Sequence, residues 1–181
     1  MVIMLKGKTS FIVLNIVGGI AVLGSYVLCI VGWPDDSPKL WGAIPPTIIP
    51  VYTANMFVAA LGYFLFSWRA LRWCDVEQTR FVGGRTFKSL MACYAAMLIG
   101  SALWMPLSLY AVVNNLGWLT PWIVVDLGVV AAGSLGIVVC MVTMTPQGSR
   151  ASRVASIVGA CLFCSQTVLL DFCIWPWFFS V

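Results

Sequence analysis

The sequence predicts an all-α integral membrane protein, a single bundle of five transmembrane helices, and three observations lead there. The first is composition: the 181 residues are 61% hydrophobic and 9% charged, with a mean hydropathy of +1.00. A soluble domain is about one quarter charged, because water has to solvate its surface. Ten basic and six acidic residues cannot cover a soluble protein of this size, so lipid is the solvent for most of its surface. The second is span length: five apolar stretches, at about 10–32, 46–68, 89–113, 120–144 and 154–178, are each long enough to cross the hydrocarbon core. The third is the placement of the basic residues. Nine lysines and arginines fall at the N-terminus (Lys6, Lys8), in 69–88 (Arg69, Arg72, Arg80, Arg85, Lys88) and in 145–153 (Arg150, Arg153), against Lys39 alone on the other side. That asymmetry fits an odd number of spans, with the N-terminus on the basic, cytoplasmic-type side of a bacterial inner or organellar membrane and the C-terminus opposite.

Each span has to be helical, because backbone groups in lipid must be satisfied internally. The first lacks a small-x-small cleavage site and is over 20 residues long, so it reads as a retained helix and not as a signal peptide. Pro45 and Pro46 suit the start of the second helix, where their missing donors are no loss. Pro106 predicts a kink or widened turn in the third. Thr120-Pro121 predicts an N-cap followed by proline at the first helical position of the fourth, and Pro176 falls where the fifth ends. Small residues every fourth position mark close helix contacts: Ala92, Ala96 and Gly100, then Gly128, Ala132 and Gly136, then Ala155 and Gly159.

Several function classes drop out. With no histidine, histidine-based acid–base chemistry and metal ligation are excluded. The basic residues follow topology and suggest contacts with membrane lipids and not with nucleic acid. Six of the seven cysteines lie in apolar stretches and only Cys74 in a polar loop, so free thiols are expected in place of a disulfide framework. Cys161-x-x-Cys164 has no accompanying ligands. No glycine-rich phosphate loop or nucleophile elbow occurs, Asp35-Asp36 reads as a solvated turn, and no conventional enzyme is expected.

The candidate site comes from polar groups placed where lipid penalises them. Asp126 lies about five residues into the fourth span and Asp171 about six before the end of the fifth, so both carboxyls belong to the leaflet away from the basic loops. Asn55 lies deeper from the same side. Trp33, Trp41, Trp118, Trp122, Trp175 and Trp177 share that side, against Trp68 and Trp73 on the other. An interfacial belt accounts for many of these indoles, but flat ligands are also bound by tryptophan walls with a few placed polar groups. Asp126 reads equally as a helix-start carboxylate complementing the dipole, and Asp171 as an interhelical hydrogen-bond partner. The asymmetry predicts a recess open on the first-loop side.

The order of short motifs resembles the translocator protein family (TspO/MBR, the peripheral benzodiazepine receptor). Pro45-Pro46 with Gly62-Tyr63 resembles that family's entry to its second helix. Trp104-Met105-Pro106-Leu107 resembles its Trp-x-Pro-Leu, Gly117-Trp118 and Val125-Asp126-Leu127 its fourth-helix opening, and Leu170-Asp171-Phe172-Cys173-Ile174-Trp175 its Leu-Asn-x-x-(Ile/Val)-Trp. Departures are Ala43 in place of a tryptophan, Ser101 in place of an asparagine, Phe163 or Leu162 at the fifth-helix tryptophan, and about four extra residues before Val125. The resemblance implies a five-helix bundle with a first-loop-side cavity for a hydrophobic small molecule, such as a porphyrin or other tetrapyrrole, a sterol or a lipid. Trp41, Asn55, Trp104 and Trp118 would line it, Asp126 and Asp171 would supply polar ends, and Pro45-Pro46 would shape a lid. A small accessory subunit of a larger membrane complex, or a homodimer, is the alternative, and a carrier using both aspartates is the third.

Overall fold

The computed structural model describes residues 2–145 and 148–181, with side chains from residue 7 onward, so the side chain of Lys6 lies outside the described residues. Five helices are long and apolar enough to span a membrane: α1 (Val2–Gly32), α2 (Ile49–Trp73), α3 (Phe87–Val113), α4 (Thr120–Thr143) and α5, which begins at Arg150. The chain is an all-α membrane bundle, as its composition demands. α3 packs on both α1 and α4, α4 on α5, and α5 on α2. The order round the bundle is therefore α1–α3–α4–α5–α2, and a hydrogen bond from Tyr63 on α2 to Asn15 on α1 closes the ring.

The prolines behave differently from the sequence expectation. α2 starts at Ile49 with Pro50 in its first turn, while Pro45–Ile48 forms a preceding turn closed by Ile48 N–H to Pro45 C=O at 2.8 Å. Leu119, not Thr120, occupies the N-cap of α4, and no side chain caps it. Pro106 sits inside a continuous α3. The widened turn occurs instead in α5, whose α-helical part ends at Cys164 and continues as π-helix over Ser165–Ile174, then a 3-10 turn over Trp175–Trp177. π-Helix is rare and occurs mostly as single-turn bulges, frequently at functional sites, so a ten-residue run is unusual.

Close approach is decided by particular glycines, not by the whole stripes. A Cβ on Gly62 would collide with the backbone carbonyl of Gly159, and one on Gly159 would lie 2.7 Å from the Gly62 oxygen, so α2 and α5 cross backbone to backbone. Gly133, outside the predicted stripe, brings α4 against α3, with its Cβ position 2.8 Å from the Cys93 carbonyl. Ala92 and Ala132 face outward.

Two cores result. The one toward the basic loops gathers Phe11, Phe66, Leu90, Tyr94, Met97 and Met141, and the other gathers Tyr52, Leu109, Ile123, Leu127, Trp175 and Phe179. At the basic end Arg80 exchanges backbone hydrogen bonds with Thr145 at 3.0 and 2.9 Å, tying two loops together. Arg69, which the sequence places at the edge of a loop, lies within α2 fully buried and donates to Ser156 at 3.3 Å. Cys74 is likewise buried, its thiol directed at the Met144 sulfur at 3.2 Å. Burial pushes that thiol up to about 11, offset in part by Arg69. Since the thiolate is the reactive species, Cys74 should resist maleimide at pH 8 in mild detergent by roughly a hundredfold relative to an ordinary thiol. Mass spectrometry of labelled protein should find it modified only after denaturation, and fast labelling of the folded protein would contradict this burial.

Candidate functional site: a lidded polar and aromatic cluster

At the end away from the basic loops, polar groups of α2 and α5 form one hydrogen-bonded cluster. On α5, Gln166 donates to the Asp171 carboxylate at 2.7 Å. The two residues are five apart, about 140° round a regular α-helix, and the wider π turn brings them onto one face. Asn55 on α2 donates to Gln166 at 2.9 Å and accepts from Ser165 at 3.1 Å. Tyr52, one turn earlier on α2, donates to the Leu170 carbonyl at 3.2 Å, a backbone group inside the π segment. Tyr26 on α1 joins from the side of α3, edge-on to the Trp104 ring.

The helix α3 supplies the wall. Gly100, Trp104 and Ser108 fall at i, i+4 and i+8, on one face. A Cβ on Gly100 would sit 3.2 Å from an Asp126 carboxylate oxygen, so this face of α3 meets the carboxyl on α4. Trp104 packs edge-on against Tyr26 at 6.0 Å and Trp175 at 5.5 Å, and Trp175 stacks on Phe179 at 4.2 Å. Three buried polar atoms here have no hydrogen-bond partner among the described residues: the Trp104 indole nitrogen, the Ser108 hydroxyl and one Asp126 carboxylate oxygen.

The recess expected at this end is closed over. The first loop folds down as a lid: the Trp175 indole donates to the Leu40 carbonyl at 2.9 Å, Ala43 N–H donates to the Phe178 carbonyl at 2.9 Å, and Leu40 and Ile44 are buried beneath. Gly42 takes φ +55° with its Cβ position against the Phe178 backbone, a spot open only to glycine. An open groove of about 690 Å3 lies elsewhere, between Thr9–Ala21 of α1 and Leu98–Leu103 of α3, and none of the predicted site residues lines it.

The structure links Asn55 to Asp171 through Gln166 and sets Asp126 against the Gly100–Trp104 face of α3, with Trp41 edge-on to Tyr52 at 5.8 Å. Pro45 and Pro46 lie exposed on the lid. Trp118 does not join: it is 65% exposed on its own turn, and with Trp33, Trp122 and Trp177 it forms the outer belt. Tyr26, Tyr52 and Ser108 are site residues that sequence reasoning missed. Gln166, a polar residue in the fifth span, was the signal available for the π segment. Among the described residues no group of three or more cysteine or acidic side chains could hold a metal ion. The chain matches no protein-family model, and it has no significant match among curated proteins or solved structures.

Proposed function

We propose that this membrane protein binds a hydrophobic small molecule, of the tetrapyrrole or sterol and lipid-like class, beneath the first-loop lid. The observation that carries the reading is the set of unpartnered buried atoms on Trp104, Ser108 and Asp126. A closed core satisfies its polar groups, and in lipid each unmet group costs several kcal/mol or shifts the chain toward whatever satisfies it, roughly 1–3 kcal/mol by mutational scales. A buried donor, acceptor and hydroxyl left without partners are the polar groups that fix a ligand in a small-molecule site. The resemblance to the translocator protein family supports the same location. In this reading the N-terminus and basic loops face a cytoplasmic-type compartment and the lid faces away from it.

The experiment uses uncharged probes, protoporphyrin dimethyl ester and dehydroergosterol, titrated into detergent-solubilised protein. Saturable quenching or energy transfer from tryptophan is expected at micromolar ligand, and Trp104→Phe, which keeps an aromatic ring but removes the N–H donor, should weaken it about tenfold. No saturable signal from either probe would end the proposal.

A second reading has its own observation. In α1 only 6% of the most apolar window is buried, and Gly19, Gly24 and Gly32 have no neighbouring atom where a Cβ would stand. A helix so thinly packed suits a subunit seated against another transmembrane chain. Native electrophoresis after mild solubilisation separates the two, since a subunit migrates with a large complex.

A further inference from the structure

We propose that the ligand of this lidded site is a hydrophobic organic cation, a protonated amine or onium centre on an apolar body, held by Asp126 and Asp171 inside the ring of Tyr26, Trp104 and Trp175. The inference rests on the binding-site reading above and narrows its ligand class.

Charge is the first ground. Asp126 meets the Gly100 face of α3, one turn from Trp104, and Asp171 lies four residues before Trp175, which packs edge-on against Trp104. Among the described residues neither carboxyl forms an ion pair with a lysine or arginine. The lysine at this end, Lys39, is on the surface and paired with Asp36 at 2.6 Å. Carboxylates in a low-dielectric interior are tolerated when a cation accompanies them, and the chain itself provides none here. An arriving cation supplies it, whereas an anionic group, including the carboxylate arms of a tetrapyrrole, is repelled.

Unmet hydrogen bonding is the second and independent ground. Asp171 already accepts from Gln166, but Asp126 retains a buried oxygen with no donor, and Ser108, fully buried on the Gly100–Trp104–Ser108 face, has no partner. A protonated amine donates to Asp126. An oxygen near the cationic centre accepts from the Trp104 N–H. The walls are the third ground. Indole and phenol rings attract a cation over their electron-rich faces, which is how aromatic cages hold onium ions. The apolar body of the ligand then replaces packing supplied by the lid residues Leu40 and Ile44.

Three probes of nearly equal tetrahedral shape read the charge: tetraphenylphosphonium, tetraphenylborate and neutral tetraphenylsilane. Each is titrated by calorimetry into full-length protein in nanodiscs of zwitterionic lipid, with empty discs as the blank for partitioning. Saturable phosphonium binding at least tenfold tighter than the neutral probe, with no saturable borate binding, is the expected result. Asp126→Asn and Asp171→Asn should each weaken phosphonium binding at least tenfold and lower its preference over the neutral probe. Equal affinity for phosphonium and the neutral probe, or borate binding as tight as phosphonium, overturns the cation assignment and leaves the binding-site reading standing. No saturable binding by any of the three, together with none by the porphyrin ester or sterol, overturns both. The wild-type comparison decides the matter even if an aspartate variant fails to fold.

Discussion

Gly62→Val is expected to abolish the folded bundle. The Cβ would be driven into the Gly159 carbonyl, and the Phe163 amide nitrogen lies 3.3 Å from the same point. Both obstacles are backbone, so neither helix can yield by rotating a side chain. Overpacking that only moves side chains costs about 1–3 kcal/mol, and here the α2–α5 crossing itself must open. That separation would also break Asn55–Gln166 on one side of the crossing and Arg69–Ser156 on the other. Gly159→Val should behave alike. Gly19→Ala and Gly24→Ala, which meet nothing within 4 Å, should leave the protein intact. Size-exclusion chromatography in detergent and thermal melts by circular dichroism read the difference. A monodisperse Gly62→Val protein melting within a few degrees of the parent would show that the two backbones do not touch as described.

Trp175→Ala should unlatch the lid at a cost of about 3–5 kcal/mol. The side chain is 2% exposed and stacks on Phe179, meets Trp104 edge-on, and donates to the Leu40 carbonyl. Truncation removes all three at once. Trp175→Phe keeps a ring for the stacking and removes only the donor, which costs about 1–3 kcal/mol because the Leu40 oxygen is left buried. Tryptic cleavage after exposed Lys39, one residue from the latch, gives the readout. Cleavage should accelerate at least tenfold for the alanine variant, with an intermediate rate for phenylalanine, because local opening governs access. Unchanged cleavage in Trp175→Ala would mean that the Ala43–Phe178 backbone bond alone holds the lid.

Much of the candidate site was legible because lipid penalises polar groups so heavily. An aspartate in a span draws notice wherever it lies, and the fold leaves Asp126 a buried oxygen without a donor and gives Asp171 a donor in Gln166. Tyr26 itself escaped notice, since a tyrosine in an apolar helix is ordinary. Trp118 was chosen for its side of the membrane, but side alone does not separate an indole facing inward from one facing lipid.

The sequence by itself determined that this chain spans the membrane five times, because a run of about twenty apolar residues has only the helix available to it in lipid. It also determined which end of the bundle holds the carboxyls. Which faces meet was left to the tertiary structure: lipid is as apolar as the helix surfaces, so no stripe of hydrophobic residues marks the inside. Only the fold shows that Gly62 and Gly159 touch, that the first loop latches onto Trp175, and that ten residues of α5 widen to a π-helix. The last matters most, since a regular α-helix would have turned Gln166 away from Asp171.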